Sequence, residues 1–518
     1  MTRPPLRSRG RSAIFIAVKV LLAGFNLDKE VIDDLKRHSP PRDDVTPETL
    51  SASYARISRD PRPVDELRAA ARAEVERARR SNQSIIFRMG HHSVAEHAVF
   101  NFDIIGVSRL AIEEIERFRL GSYTEKSQRY ITLGDDFVIP EEVREAGLEA
   151  LFTGTVRAQN ALYHKLYARL KPYIFNKFKD AAENPKNHSV LDGWAKEDAR
   201  YVVSLATCGQ LGMTLNARNL ELLIRRFASK RRAELREFNS LIRSLAKEAA
   251  PSIILFTEAG AFDAKALGDV KDAFARSGAV TPRPKSRRAG KDLDIALVDW
   301  TRDADDKVLA ALGHATSGES YDTCRARVGR MTGGRKKSVF MAALGRMEFY
   351  DFPPREFEYA DLTFELVVSA SCFAQLKRHR MATLTSQSYD PGLGVKVPPS
   401  VREIGARSEF MEIIERTDET YDALKNATGP AADYVLTNAH RRRVLLKVNA
   451  RELYHISRLR EDATAQWDIR DIATRMSSLA KRVMPLTCLL LGGKDLYPEI
   501  YRRVFGRPPG MTPPFVLT

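Results

Sequence analysis

An internal repeat constrains this sequence more than any other feature, because segments recurring in the same order mean that one structural unit has been used twice. Val18 to Asp28 pairs with Leu293 to Asp303, each an apolar stretch running into an acidic helix start. Glu96 to Ile104 pairs with Glu358 to Leu366, and each is followed by an Arg-x-Arg, Arg117-Phe118-Arg119 and Arg378-His379-Arg380. Asn216-Ala217-Arg218 pairs with Asn449-Ala450-Arg451, each opening a Leu-rich helical stretch. Each copy reads as a strand, helices, a β-rich middle with alternating Phe100, Phe102 and Ile104, a helix into Arg-x-Arg, then long helices. The expected class is α+β, two like domains in tandem.

The boundaries follow from composition. The sequence predicts a disordered basic tail over 1–17, a first domain over 18–263, a linker over 264–291 and a second domain over 292–518. The linker begins with a helical pattern and passes into Thr281 to Gly290, rich in Pro, Arg, Lys and Gly. Extra residues around Tyr173 to Trp194 have no counterpart in the second copy and read as a surface insertion.

With 518 residues and 43% hydrophobic content, the chain can bury more than one core. No apolar run reaches about 18 residues, so no membrane span is expected. The apolar stretch from Ala13 to Phe25 is interrupted by Lys19 and lacks a small-residue cleavage site, unlike a secretory signal. The four cysteines are scattered without a CxxC pair, which predicts neither a disulfide framework nor a zinc ribbon and fits the cytoplasm. A net charge of +16 implies attraction to phosphate without choosing among nucleic acid, nucleotide and cofactor.

Two stretches have the composition of a binding site. Arg117 to Tyr130 sets Arg117, Arg119 and Arg129 among Ser122, Glu125 and Ser127, suited to fixing a phosphate and a polar ring; alone it also reads as an ion-paired helix end. Gly90-His91-His92-Ser93-Val94-Ala95-Glu96-His97 fits neither HExxH nor HxxEH, so no metal is expected, and the stretch reads as a helix cap or a cofactor contact. No nucleophile elbow or P-loop occurs, and no cysteine lies in an activating context, which points to cofactor chemistry.

Together, GHHSxxEH, the Arg-x-Arg followed by Ser122, Glu125, Ser127 and Arg129, and the later Asn-Ala-Arg resemble the flavin-dependent thymidylate synthases. The resemblance extends over nearly the whole chain outside tail and linker. The first copy departs from the family pattern RHRxxSxNExSxRY at Phe118 and Thr124; the second keeps RHR but has lost the Glu and the last Arg.

The resemblance implies reductive methylation of dUMP to dTMP, with FAD as cofactor and NADPH and methylenetetrahydrofolate as co-substrates. It also implies sites between subunits, hence a homodimer forming a four-domain pseudo-tetramer. Its nucleotide-binding residues fall on Gln375, Arg378 and Arg460 in the second copy, where the first has Glu114 and Phe227 for the Gln and the last Arg. They fall on Glu125, Ser127, Arg129 and Arg200 in the first copy, where the second has Ser386, Asp390 and Asp433 for the Glu and the two Arg.

Each copy keeps what the other has lost, so the expectation is one composite site, with Arg460 favouring ionisation of the uracil ring. Flavin contacts are expected from Arg378, His379, Arg380, Asn449, Arg451 and His455, completed by His91, Ser93 and Glu125. Without the resemblance, Asn216 and Asn449 read as helix caps and His455 as a core histidine. Two other readings remain at this stage. One is a related flavoenzyme acting on another pyrimidine nucleotide. The other is a non-catalytic nucleic-acid-binding descendant, favoured by Arg283 to Arg288 and Arg441-Arg442-Arg443, runs that otherwise read as solvated surface.

Overall fold

The computed structural model describes residues 18–37, 44–57, 60–277 and 294–513. The expected tail, 1–17, and the second half of the expected linker, 278–291, lie outside the described residues.

Two four-stranded antiparallel sheets share one strand order. In the first, β1 (Lys19–Phe25), β2 (Val99–Ser108), β3 (Ser122–Glu125) and β4 (Cys208–Asn216) lie as β1-β2-β4-β3. In the second, β5 (Ile295–Trp300), β6 (Asp361–Ser369), β7 (Thr383–Ser386) and β8 (Arg441–Asn449) lie as β5-β6-β8-β7. Even the irregularity in the pairing of the first two strands recurs, between Leu22 and Gly24 and between Leu297 and Asp299. The alternation in β2 is expressed as a buried face, with Phe100, Phe102 and Ile104 at most 1% exposed. Burial of side chains this size stabilises by roughly 1.5–3 kcal/mol each.

Repeated caps fix how helices leave the strands. Ser108 and Ser369 accept the Ala111 and Cys372 amides at 2.9 and 3.0 Å, starting the helices Arg109–Ile115 and Ala370–Leu376. Asn216 and Asn449 do the same for Ala217–Phe227 and Ala450–Arg460, at 2.9 and 2.8 Å. The capping reading of both asparagines holds.

The copies pair within the chain. Beyond one apolar core in each copy, two further cores mix both: Tyr163, Leu166 and Leu170 pack with Val401, Phe410 and Ile414, and Phe152 and Leu205 pack with Tyr421, Tyr434 and Leu436. Near the pseudo-twofold axis Leu205 N–H donates to Leu436 O at 2.7 Å and Asn438 N–H to Val203 O at 3.0 Å. The last arginines of the two Arg-x-Arg motifs reciprocate: Arg119 donates to Ala382 O at 3.3 Å and Arg380 to Gly121 O. Such exchange marks a self-complementary interface.

Two sequence expectations need correcting. The helix Ala261–Arg276 begins ahead of the expected linker start at 264. The residues read as a surface insertion dock on the second copy, where Tyr173 Oη and Lys177 Nζ donate to Glu403 at 2.5 and 2.7 Å. Tyr and Lys carry the polar tips that such a contact needs, and the sequence alone does not reveal the surface they meet.

Candidate active site between the two copies

A cavity of about 260 Å³ opens where the Arg-x-Arg helix of the second copy meets β3, β4 and the following loop of the first. Its lining has six cations, Arg109, Lys126, Arg129, Arg200, Arg378 and Arg460, against one carboxylate, Glu125. Several of its polar groups make no hydrogen bond within the protein: both Arg109 Nη atoms, of which Nη1 lies 3.7 Å from Glu113, Arg200 Nε, and the Gln375 amide nitrogen and oxygen. Buried donors left unpaired cost about 1–3 kcal/mol each, more for charged groups, so this arrangement is stabilised by an anion supplying acceptors.

Local folding explains each placement. Arg129 follows an edge strand and is held from behind, donating through Nε to Glu197 at 2.5 Å and through Nη2 to Thr464 O at 3.3 Å. Ser127 Oγ accepts the Arg129 amide at 3.1 Å, bending the loop. Arg200, buried in a 3-10 turn, donates to Ser371 Oγ of the other copy at 2.9 Å. Burial, followed by Arg129 and Arg109, lowers the Arg200 pKa against the opposing pull of Glu197. Arg378 reaches across to pair with Glu125. Burial alone would raise the Glu125 pKa, but Lys377, Arg109 and Arg378 hold it below the ordinary value. Thus Gln375, Arg378 and Arg460 meet Glu125, Ser127, Arg129 and Arg200 in one cavity.

Arg460 links this cavity to a second. Its Nε–H donates to His379 Nε2 at 2.9 Å, so the His379 proton is assigned to Nδ1. That Nδ1 is buried without a hydrogen-bond partner, 3.6 Å from Glu452 Oε1. Burial, then Arg460, pushes the His379 pKa down to about 3; burial, then Arg378 and Arg129, lowers that of Arg460 to about 10. At neutral pH the imidazole is therefore neutral and the guanidinium charged. His379 lies edge-on to His455, with centroids 5.5 Å apart. His455 lines the second cavity, about 230 Å³, with Asn449, Arg451, Phe352 and Met381.

His379, Glu452 and His455 offer three ligand atoms within 4.8 Å of one another. Arg460 occupies one imidazole nitrogen of this set and lowers the affinity of both rings for positive charge, which disfavours a divalent cation there.

Three expected contacts are not brought in. His91 and Ser93 are exposed at the 3-10 helix His92–His97 of the first copy and line neither cavity. That segment packs beside its own sheet, where Glu96 pairs with Arg218 at 2.6 Å. Arg380 lines neither cavity and is spent on the interface contact with Gly121.

The mirror-image position is filled. Counting back from the Asn caps, Gly209 of β4 corresponds to Arg442 of β8. The Arg442 guanidinium lies over the Phe373 and Tyr389 rings, 4.7 and 4.4 Å from their centroids, and pairs with Glu113. Asp433, in the place of Arg200, pairs with Arg232 at 2.7 Å; Phe227, in the place of Arg460, packs on Phe118 and Phe238. Arg441 is likewise buried against Asp294 at 2.8 Å, so the run Arg441 to Arg443 is not the solvated strip that its composition suggests. β-strand alternation and the interface turn two of its three charges inward.

The sequence profile of the family described as "Thymidylate synthase complementing protein" matches this chain twice, over residues 43–252 and 296–486. The chain belongs to that family. It carries two diverged copies of the family domain in tandem. The UPF0159 protein Ta1429 of Thermoplasma acidophilum is 24% identical over 479 residues, 84% of this chain and 92% of the relative. The flavin-dependent thymidylate synthase of Geobacter sulfurreducens is 31% identical over 227 residues, 44% of this chain and 85% of the relative. That of Clostridium tetani is 28% identical over 214 residues, 41% and 82% respectively. A solved UMP/dUMP methylase from Streptomyces cacaoi aligns over 46% of this chain and 93% of its own at 16% identity, with a TM-score of 0.32, too low to carry an argument.

Within this family member the cavity also holds residues that sequence reasoning missed. Arg109 is the clearest, and a signal existed: the second copy has Ala370 at the matching position, the same one-sided retention that singled out Glu125 and Arg129. Glu197 was missed as well. It acts through Arg129, and nothing in the sequence ties the two together.

Proposed function

We propose that this chain is a flavin-dependent thymidylate synthase, converting dUMP to dTMP with methylenetetrahydrofolate and NADPH through FAD, at one composite site per chain. The two domains proposed to build it span 18–263 and 292–518. The observation that carries the reading is the cavity whose six cations come from both copies and include two, Arg109 and Arg200, with buried donors that make no hydrogen bond. A nucleotide monophosphate supplies the missing acceptors. Arg109, Arg129 and Arg200 are assigned to the phosphate and Gln375, with both a donor and an acceptor, to the pyrimidine edge.

Arg460 has the role of stabilising negative charge that develops on the ring, which its charged state below about pH 10 permits. Arg378 and Glu125 orient each other at the cavity mouth. The second cavity fits part of a flavin cofactor: Phe352 and Met381 offer apolar surface, and Asn449, Arg451 and His455 offer polar groups. When bound, reduced flavin supplies the relay of the one-carbon unit and the reducing equivalents. The residues' own tasks are binding, orientation and electrostatic stabilisation. No cysteine lines the second cavity, and the Cys208 thiol in the first is pushed up to about 12 by burial, unsuited to acting as a nucleophile.

The departures at Phe118 and Thr124 do not argue for a different nucleotide: Phe118 packs on Phe227 in the filled half-site, and neither residue lines the cavity. No described helix is long and apolar enough to cross a membrane. A cytoplasmic homodimer forming a four-domain pseudo-tetramer is the proposed assembly, checked by light scattering. The function is tested by assaying dTMP formation with flavin-loaded protein and its Arg460→Ala variant. Activity lost in the variant is expected; near-normal activity, or none in the loaded parent, sinks the assignment.

A further inference from the structure

A third cavity, about 690 Å³, lies behind the first. Five of its wall residues, Ile174, Lys177, Phe178, Val190 and Trp194, come from the segment that only the first copy carries. The opposite wall is the second copy's loop 462–465 and Trp467. The extra segment therefore builds a cavity beside the composite site.

The chemistry of this cavity is the inverse of the first. Where the nucleotide cavity is rich in donors, this one is rich in acceptors: Glu197, Asp198, Glu403, Asp462 and Asp495 outnumber Lys177, Arg470 and Lys494. Glu403 is already taken by Lys177 and Asp462 by Thr464, but Asp495 Oδ1 is buried with no partner. Asp198 accepts from Trp467 Nε1 at 2.7 Å and from Ser400 Oγ at 2.5 Å. Trp194, edge-on to Phe178 at 4.9 Å, and Trp467, stacked on Tyr201 at 5.5 Å, are partly exposed and line the space with flat π surface. Acceptors combined with aromatic walls suit a flat ring that carries N–H donors.

We propose that this cavity is a second ligand site, taking a flat amino-substituted bicyclic heterocycle of the purine or pterin class, and that its occupant acts on the nucleotide cavity. The route is short. Both groups that hold Arg129 from behind, Glu197 and the carbonyl of Thr464, belong to residues lining this cavity. A ligand N–H that engages Glu197 competes for the carboxylate that orients Arg129. The inference concerns a different cavity and stands whichever nucleotide the first one takes.

The test uses tryptophan emission from the full chain, since two of its three tryptophans, Trp194 and Trp467, line the cavity and the third, Trp300, lies on β5 under Arg302. The protein, with 1 mM dUMP present to occupy the first cavity, is titrated with guanosine, 6-hydroxymethylpterin and, as a control, uridine. Saturable quenching by guanosine, by the pterin or by both supports the site and names its source. Trp194→Ala and Asp495→Asn should each weaken it at least tenfold; the second keeps the shape of the side chain and so guards against misfolding in the first. Saturating the effective probe should also shift dUMP affinity at least threefold. No quenching by either bicycle, equal quenching by uridine, or quenching indifferent to both variants overturns the proposal.

Discussion

Replacing Arg460 by Met separates the stability of this protein from its binding function. Lowering the Arg460 pKa from the ordinary arginine range to about 10 means that the charged side chain is disfavoured in the folded chain. At about 1.4 kcal/mol per pH unit that amounts to about 3 kcal/mol. The sign follows from linkage: a base whose folded pKa is depressed carries this cost at every pH below the folded value, and the cost fades as pH rises through about 10. Removing the charge should therefore stabilise the ligand-free protein.

Against this, His379 Nε2 loses its 2.9 Å donor, which costs about 1–3 kcal/mol for a buried acceptor. The net effect of Arg460→Met is between zero and about 2 kcal/mol of stabilisation. Scanning fluorimetry between pH 6 and 9 should show an unchanged or slightly raised Tm. Titration calorimetry should show dUMP affinity at least 100-fold weaker, about 2.7 kcal/mol. A fall in Tm of several degrees with dUMP binding intact would refute the reasoning, since Arg460 would then be a structural residue rather than one held charged for a ligand.

Two further outcomes follow from the same geometry. Gly209→Arg places in the first copy the side chain that Arg442 provides in the second, and a Cβ at Gly209 already comes within 2.5 Å of the movable Ile112 Cδ1; the variant should fold, by circular dichroism, yet bind no dUMP, and tight binding would contradict the view that Arg442 closes the mirror site. Asp198, pushed up to about 7 mainly by burial, is protonated in the folded chain at pH values where the unfolded chain has lost the proton; its contribution to stability is full below about pH 4 and declines until about pH 7, so Asp198→Asn should flatten the dependence of Tm on pH across that window, and an unchanged profile would refute the assignment.

Much of this was legible in the sequence because duplication leaves two versions of each position to compare. Glu125 against Ser386 and Arg460 against Phe227 show which half-site was retained, and the structure brings the retained members together. Arg109 against Ala370 carries the same information but lies outside the motifs that drew the comparison. Contacts made through tertiary packing were not legible. Trp194 looked like surface because nothing local reports the wall supplied by Trp467, and Arg442 looked solvated because strand alternation alone does not reveal which side of a sheet the sister copy covers. His91 and Ser93 lie exposed on the first copy, away from both cavities of the single chain, and motif matching identifies a residue's kind of role but not which of several equivalent positions it stands beside.

The central claim is one nucleotide site per chain, built from both copies. It is tested most directly by measuring dUMP stoichiometry calorimetrically for the parent, for Arg129→Ala in the first copy and for Arg460→Ala in the second. The account predicts one equivalent per chain in the parent and saturable binding abolished by either substitution alone. Two equivalents in the parent, with one surviving in each variant, would mean two independent sites and contradict it.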